Sequence, residues 1–213
     1  MTNILKATNL AFAYNHSIRF DLPDIELRSG EELLVLGKSG SGKTTLLNIL
    51  GGLLKPHQGE VMVNGKSLYQ LEGHALDKFR GEHIGIVFQK PHLLTALNVL
   101  ENFQMANFFV GREKTSLIEE NLKELGILDK KRAKITTLSE GEAQRVSIAR
   151  ALANEPRVIL ADEPTASLDD TNAEIVIRLL KAQAKRLGAA LIVVTHDQRV
   201  KNHVSTHVTI GKV

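Results

Sequence analysis

Short apolar runs and longer amphipathic stretches alternate along this chain. Glu32–Leu36, Ile84–Phe88, Val158–Ala161 and Leu191–Thr195 are brief runs of branched apolar residues, the pattern of strands buried on both faces. Gly59–Asn64 reads as a further strand that ends in an Asn64-Gly65 turn. Between the strands lie helical patterns at Thr44–Leu54, which Pro56 stops, and around Thr171–Leu187. From about Leu97 to Ala153 the pattern is mainly helical. There Leu117, Ile118, Leu122 and Leu125 make one apolar face, and Gly126 ends that helix. Strands alternating with helices predict a parallel sheet covered on both faces, with the helical block inserted into that α/β core.

The chain has 213 residues, enough for one large domain or a core with an inserted subdomain. Hydrophobic residues make up 43% and charged residues 24%, so a sizeable core is within reach. The formal net charge of +3 is too small to point to nucleic acid or an anionic membrane. Low aromatic content, 4% with no Trp, argues against stacking on single-stranded nucleic acid. Without cysteine there is no disulfide, thiolate metal site or thiol nucleophile. His203 and His207 are four apart, but Val204-Ser205-Thr206 between them is poor helix sequence and no Glu or Cys is nearby, so zinc is not expected. Met1–Tyr14 lacks the pattern of a signal peptide, and no apolar run approaches the roughly 20 residues that span a bilayer. Any work at a membrane would need another chain to provide the spanning part.

Gly37-Lys38-Ser39-Gly40-Ser41-Gly42-Lys43-Thr44 fits the phosphate-loop pattern G-x-x-x-x-G-K-[ST] without deviation, and it lies between a strand and a helix as that pattern requires. Glycines let the backbone curl so that successive N–H groups face phosphate oxygens, and the following helix adds the positive end of its dipole. Lys43 reaches the β- and γ-phosphates, and the Thr44 hydroxyl suits Mg²⁺. The strand Val158–Ala161 ends in Asp162-Glu163. Ligands of open parallel sheets sit at the carboxyl ends of strands, so Asp162 is placed to hold Mg²⁺, and Glu163, pointing differently, to activate water. The two motifs together give a P-loop NTPase. A GTPase is disfavoured by the lack of an Asn-Lys-x-Asp guanine reader, while a nucleotide kinase remains open at this point.

Leu138-Ser139-Glu140-Gly141-Glu142, followed by Ala143-Gln144-Arg145-Val146-Ser147-Ile148-Ala149-Arg150-Ala151-Leu152, resembles the signature of ATP-binding-cassette (ABC) proteins. Gln89 after a strand, Ser167-Leu168-Asp169 and Thr195-His196-Asp197 resemble other elements of that family, in its order and over nearly the whole chain. The resemblance implies an N-terminal antiparallel β part beside the mostly parallel core. It also implies one cassette over 1–213, with core segments 1–89 and 156–213 and a helical subdomain at about 90–155. ATP with Mg²⁺ would be bound by Tyr14, residues 37–44 and Thr45, with Thr44, Gln89 and Asp162 at the metal. Ser139, Gly141, Glu142 and Asp169 would serve the ATP of a second copy in a head-to-tail homodimer. Glu163, His196, Gln89 and Lys43 would carry hydrolysis, with either form of the His196 imidazole suited to the γ-phosphate.

Leu46–Leu53 and Phe79–Gln89 further resemble the small ATPases of the lipoprotein-release, macrolide-export and cell-division group. That resemblance implies an ATPase on the cytoplasmic face of the inner or plasma membrane, without nucleic acid, docking a membrane subunit near Gln89–Asn107. It leaves a division or regulatory role as the alternative to transport. Leu93, Leu94, Phe103, Phe108 and Phe109 either line that dock or are core. Glu140 departs from the family pattern, which has Gly there. Its carboxylate either points to solvent, favoured by the helix dipole, or opposes the partner's γ-phosphate. Glu140→Gly is therefore expected to raise the ATPase rate or leave it unchanged in a phosphate-release assay. A steep loss would give Glu140 a positive role.

Overall fold

The computed structural model describes residues 3–15, 18–108, 110–111 and 115–211. The chain opens with β1 (Leu5–Asn15), β2 (Ile18–Asp21) and β3 (Ile25–Leu27), then β4 (Glu32–Leu36) and α1 (Lys43–Leu50). β5 (Gln58–Val63) and β6 (Lys66–Ser67) come next, then α2 (Gly73–His83) running directly into β7 (Ile84–Val87). α3 (Val99–Phe108), α4 (Thr115–Glu124) and α5 (Glu140–Leu152) make the helical block. β8 (Val158–Asp162), α6 (Asp170–Leu187), β9 (Ala190–Thr195), α7 (Gln198–Lys201) and β10 (His207–Thr209) complete the chain.

The strands form two sheets. β10-β4-β9-β8-β7 is parallel throughout, and β2-β1-β5-β6, with β3 also on β1, is antiparallel. Every residue of β8 and β9 is buried, as expected for strands covered on both faces. Alternate residues enter two separate cores. Leu33, Val35, Leu160, Ile192 and Val194 pack with Leu46, Leu47 and Leu50 of α1 and with Leu5, Val61 and Val63 of the antiparallel sheet. Leu34, Ile159, Leu191 and Val193 pack on the other side with Phe103, Leu122, Val146, Ile148 and Val176 of the helices. The predicted α/β core and helical block are both present, and the antiparallel part is N-terminal as the resemblance implied.

Some elements differ from the sequence expectation. The helix predicted over Thr44–Leu54 stops at Leu50 rather than at Pro56. Gly52 takes a left-handed φ of 68°, and the amides of Leu53 and Leu54 both turn back to the Asn48 carbonyl. A side chain at Gly51 would meet Ile86 Cδ1 at 2.9 Å, so the helix ends where its backbone presses on β7. α2 has no counterpart in the sequence pattern, because only Phe79, with Leu76 partly buried, carries its apolar side. Asn64 and Gly65 both have positive φ, 49° and 77°, as a tight hairpin turn between β5 and β6 requires. Gly126, also left-handed, ends the helix carrying the buried Ile118 and Leu122. The side chain of Leu117 and the whole of Phe109 lie outside the described residues.

Of the apolar residues considered for a dock, Phe103 is core, Leu93 is partly buried, and Leu94 and Phe108 are exposed. A close approach between the parallel sheet and the helices lies at Gly85 of β7. A Cβ there would lie 2.4 Å from the Ala151 carbonyl oxygen of α5 and 3.0 Å from Pro156 Cγ. Gly85→Ala is expected to lose about 1–3 kcal/mol of unfolding free energy, because backbone cannot yield as a side-chain tip can. Urea denaturation measures this, and a loss below about 0.5 kcal/mol would mean that β7 and α5 separate easily.

Candidate functional site

The loop between β4 and α1 curls through left-handed Gly40 (φ 75°) and Gly42 (φ 97°), so that residues 38–40 and 42–45 form one wall of a cleft of about 620 Å³. Tyr14, Gln89, Glu163 and His196 complete the lining. At Gly37 the constraint is contact rather than conformation. A Cβ would fall 2.4 Å from Ser41 Oγ and 2.7 Å from the Ile210 carbonyl oxygen. Gly37 and Ser41 thus lie behind the loop, facing a neighbouring cavity, while the other expected loop residues face the cleft. Lys43 is buried, and its ammonium donates to the carbonyls of Gly37 (2.8 Å) and Lys38 (3.2 Å).

Thr44 opens α1, and its hydroxyl donates to Asp162 Oδ2 at 3.0 Å. Asp162 closes β8, and its Oδ1 is buried with no protein partner. Burial pushes this carboxyl above its ordinary range, the nearby Glu163 charge adds to the rise, and the Thr44 hydrogen bond and Lys43 oppose it. A partly desolvated carboxylate with an orphaned oxygen beside a threonine hydroxyl is the donor set a hard divalent cation takes. The residues present therefore fit Mg²⁺.

Glu163 breaks the strand with a left-handed φ of 45°, yet its amide still donates to the Val194 carbonyl at 2.8 Å. Its carboxylate is nearly buried and fully engaged. Thr195 Oγ1 donates to Oε2 at 2.7 Å, the His196 amide donates to Oε2 at 3.2 Å, and His196 Nδ1 lies 2.8 Å from Oε1. Lys43 Nζ is 3.6 Å from Oε1. Burial pushes this carboxyl up, but the hydrogen bonds from His196 and Thr195 outweigh it and hold the group below its ordinary range. Asp162 and Glu163 are adjacent in sequence and face different partners, as their positions at a strand end led us to expect. The His196 ring remains largely exposed to the cleft. Tyr14 is also exposed, with its hydroxyl 3.1 Å from Thr45 Oγ1 and Phe12 edge-on at 4.9 Å.

Ser139, Gly141, Glu142 and Asp169 do not line this cleft. Ser139 caps α5: its Oγ accepts from the Glu142 amide (3.3 Å) while the Glu142 carboxylate accepts from the Ser139 amide (2.8 Å) and pairs with Lys130 at 3.3 Å. Glu140 is exposed in the first turn, where it borders a smaller cleft shared with Gln89 and Lys90. Gly141 admits α6, since a Cβ there would meet Asn172 Oδ1 at 2.5 Å. Asp169 caps α6, accepting from the Asn172 amide and side chain, both at 2.8 Å. His203 pairs with Glu174 at 2.8 Å and not with His207, and among the described residues no three or more His, Cys, Asp or Glu side chains are grouped to hold a metal. Sequence reasoning missed the Thr195 hydroxyl and the surrounding Thr165, Asp197 and Arg199. A strand-end Thr beside His196 was the available signal for the first, while the others are joined only by the fold.

Residues 21–166 match the ABC transporter family. The lipoprotein-releasing system ATP-binding protein LolD of Chromohalobacter salexigens is 43% identical over 186 residues, covering 86% of this chain and 78% of that protein. The macrolide export ATP-binding/permease protein MacB of Wolinella succinogenes is 42% identical over 185 residues, covering 85% of this chain but 29% of its own longer one. Among solved structures, an ATP-binding cassette captured as a dimer in a post-hydrolysis state with ADP and Pi superposes with a TM-score of 0.88. It is 35% identical and covered to 94%, with 97% of this chain included. On the family match, the relatives' identity over most of the chain and the shared fold, the chain belongs to the ABC transporter family as an ATP-binding subunit.

Proposed function

We propose that this chain hydrolyses ATP to ADP and phosphate at sites shared between two copies and so drives a separate membrane protein of the lipoprotein-release or macrolide-export kind. The observation that carries the chemistry is the Glu163 carboxylate, held ionised by Thr195 and His196 in the cleft that the phosphate loop walls. In this reading the curled amides of residues 38–45 bind the phosphates, and Tyr14 lies against the adenine. Mg²⁺, held by Thr44, Asp162 and Gln89, would neutralise charge on the phosphate oxygens. Lys43 exchanges its loop carbonyls for the β- and γ-phosphates. Glu163 accepts the proton of the attacking water, and His196 contacts the γ-phosphate and keeps Glu163 in place.

Sharing between copies is supported by the position of the signature. Ser139 and Gly141 sit at a helix N-terminus outside the chain's own cleft, where amides suit an anion from elsewhere. The dimeric relative bound to ADP and Pi supports the same arrangement. A separate membrane partner is supported by the MacB relative, an ATP-binding/permease protein much longer than the part that this chain matches. Among the described residues no helix is long and apolar enough to cross a membrane. A groove of about 560 Å³ bordered by His74, Phe88, Ala106 and Arg150 is the expected seat for a cytoplasmic helix of that partner. The chain would then lie on the cytoplasmic face of the membrane.

Glu163→Gln is expected to retain ATP binding, lose at least about 100-fold in kcat, and run as a dimer on light scattering with Mg-ATP. A monomer at saturating ATP would defeat the shared site. The same variant, tagged and purified from detergent-solubilised membranes, should bring a stoichiometric membrane protein with it, whereas recovery of only soluble partners would rule against the transport reading. A second test concerns pH. Thr195→Val removes a donor that lowers the Glu163 pKa, so the carboxylate should take up its proton at higher pH. The acid limb of the kcat/KM profile, which reports the free enzyme, is expected to move upward in pH relative to wild type, while Thr195→Ser leaves it in place. An unmoved limb in Thr195→Val would separate Glu163 from the rate-governing ionisation.

A further inference from the structure

Beyond the cleft, the turn after β9 is joined to the start of α6 by one arginine. Arg199 Nε contacts both oxygens of Asp197, at 3.0 and 2.9 Å, and Nη2 reaches Oδ2 at 2.7 Å. Its remaining donors cross to another segment. Nη1 donates to Asp170 Oδ1 at 2.6 Å and to the Leu168 carbonyl at 3.4 Å, and Nη2 donates to the Thr165 carbonyl at 3.4 Å. Asp197 is also held from that segment by the hydroxyl of the fully buried Thr165, at 2.8 Å.

The network continues to the Glu163 carboxylate. The Asp197 amide donates to Thr195 Oγ1 at 2.9 Å. With its acceptor side so occupied, the Thr195 hydroxyl is oriented to donate to Glu163 Oε2. On the far side, Asp170 is the neighbour of Asp169, the residue that caps α6 and that the shared-site reading gives to the partner's ATP. The guanidinium thus spans from the turn bearing His196 to the segment bearing Asp169.

We propose that Arg199 is a positioning residue for hydrolysis: it fastens the Thr195–Asp197 turn to the 165–170 segment, so that Glu163 of one site and Asp169 of the other are held as one body. The proposal rests on the ATPase reading of the cleft. Arg199 is partly exposed and the Asp170 carboxylate almost wholly so, and such a pair adds little to global stability. The planar fork satisfies two carboxylates and two carbonyls at fixed angles, which a lysine point charge cannot do. A rate effect without a matching stability effect therefore separates positioning from a merely structural role.

The test compares Arg199→Ala and Arg199→Lys with wild type in the full chain. The expected result for Arg199→Ala is a fall in kcat of about tenfold, the effect of a small misplacement of a catalytic group. Its ATP dissociation constant, measured without Mg²⁺, should change by less than about twofold, because the phosphate loop is untouched. Arg199→Lys should recover only part of the rate, and amide hydrogen exchange across residues 165–170 should quicken in Arg199→Ala. Unchanged kcat in Arg199→Ala overturns the proposal, as does a kcat loss fully matched by a loss of ATP-binding sites. Unchanged exchange at 165–170 overturns it also. A wild-type chain that binds ATP and does not hydrolyse it removes the ATPase reading itself, a result distinct from all of these.

Discussion

The site depends on the register of three neighbouring parallel strands. Leu36 of β4 pairs with Thr195 of β9, and Val194 of β9 pairs with Asp162 of β8. These strands therefore end at one level, and the segments that leave them meet at a single edge. β4 delivers the phosphate loop, β9 the Thr195-His196 turn and β8 the two acids. The apolar alternation that buries Leu33 and Val35 on one face and Leu34 on the other holds this register, because a one-residue slip would exchange the two cores. Core packing and site geometry are in this way one constraint: the Thr44–Asp162 hydrogen bond, 118 residues apart in sequence, depends on it.

Within that edge, adjacent carboxyls are driven in opposite directions by their surroundings. Asp162 has lost water and gained little, a single threonine donor leaving one oxygen bare, so its charge is raised in energy. Glu163 has lost water too, yet donors on both of its oxygens make up the difference. The left-handed turn at Glu163 produces this contrast by breaking the strand between the two residues. An uncompensated carboxylate suits a cation, and a compensated one can stay ionised as a base. Their exchange of roles would require the backbone to re-form there.

Legibility in the sequence tracks how local each feature is. The phosphate loop is readable because its donors are consecutive residues and its glycines mark the curl. The acids, a weak signal alone, become readable because they end a buried strand in a chain that also carries the phosphate loop. The helix end at Gly51 is misplaced by sequence alone because Pro56 is a strong stop signal, while the chain already leaves the helix at left-handed Gly52, where the Leu53 and Leu54 amides turn back to the Asn48 carbonyl. α2 escapes notice because it buries so little. The Arg199 network escapes for a different reason. Apart from Asp197 two residues before it, its partners are 29 to 34 residues upstream, beyond any spacing rule, and Arg199 by itself looks like one more surface cation.

The start of α5 shows why Glu140 is not required for folding. Ser139 and Glu142 satisfy each other's amides, and Lys130 balances Glu142, so the helix is capped without help from the residue between them. Glu140 is exposed in the single chain and lies near the positive end of the helix dipole. Closure of two copies over ATP would change that balance by removing water from the carboxylate and bringing phosphates of like sign towards it. Lys90 borders the same small cleft as Glu140. The departure from glycine thus leaves the capped helix of the single chain intact.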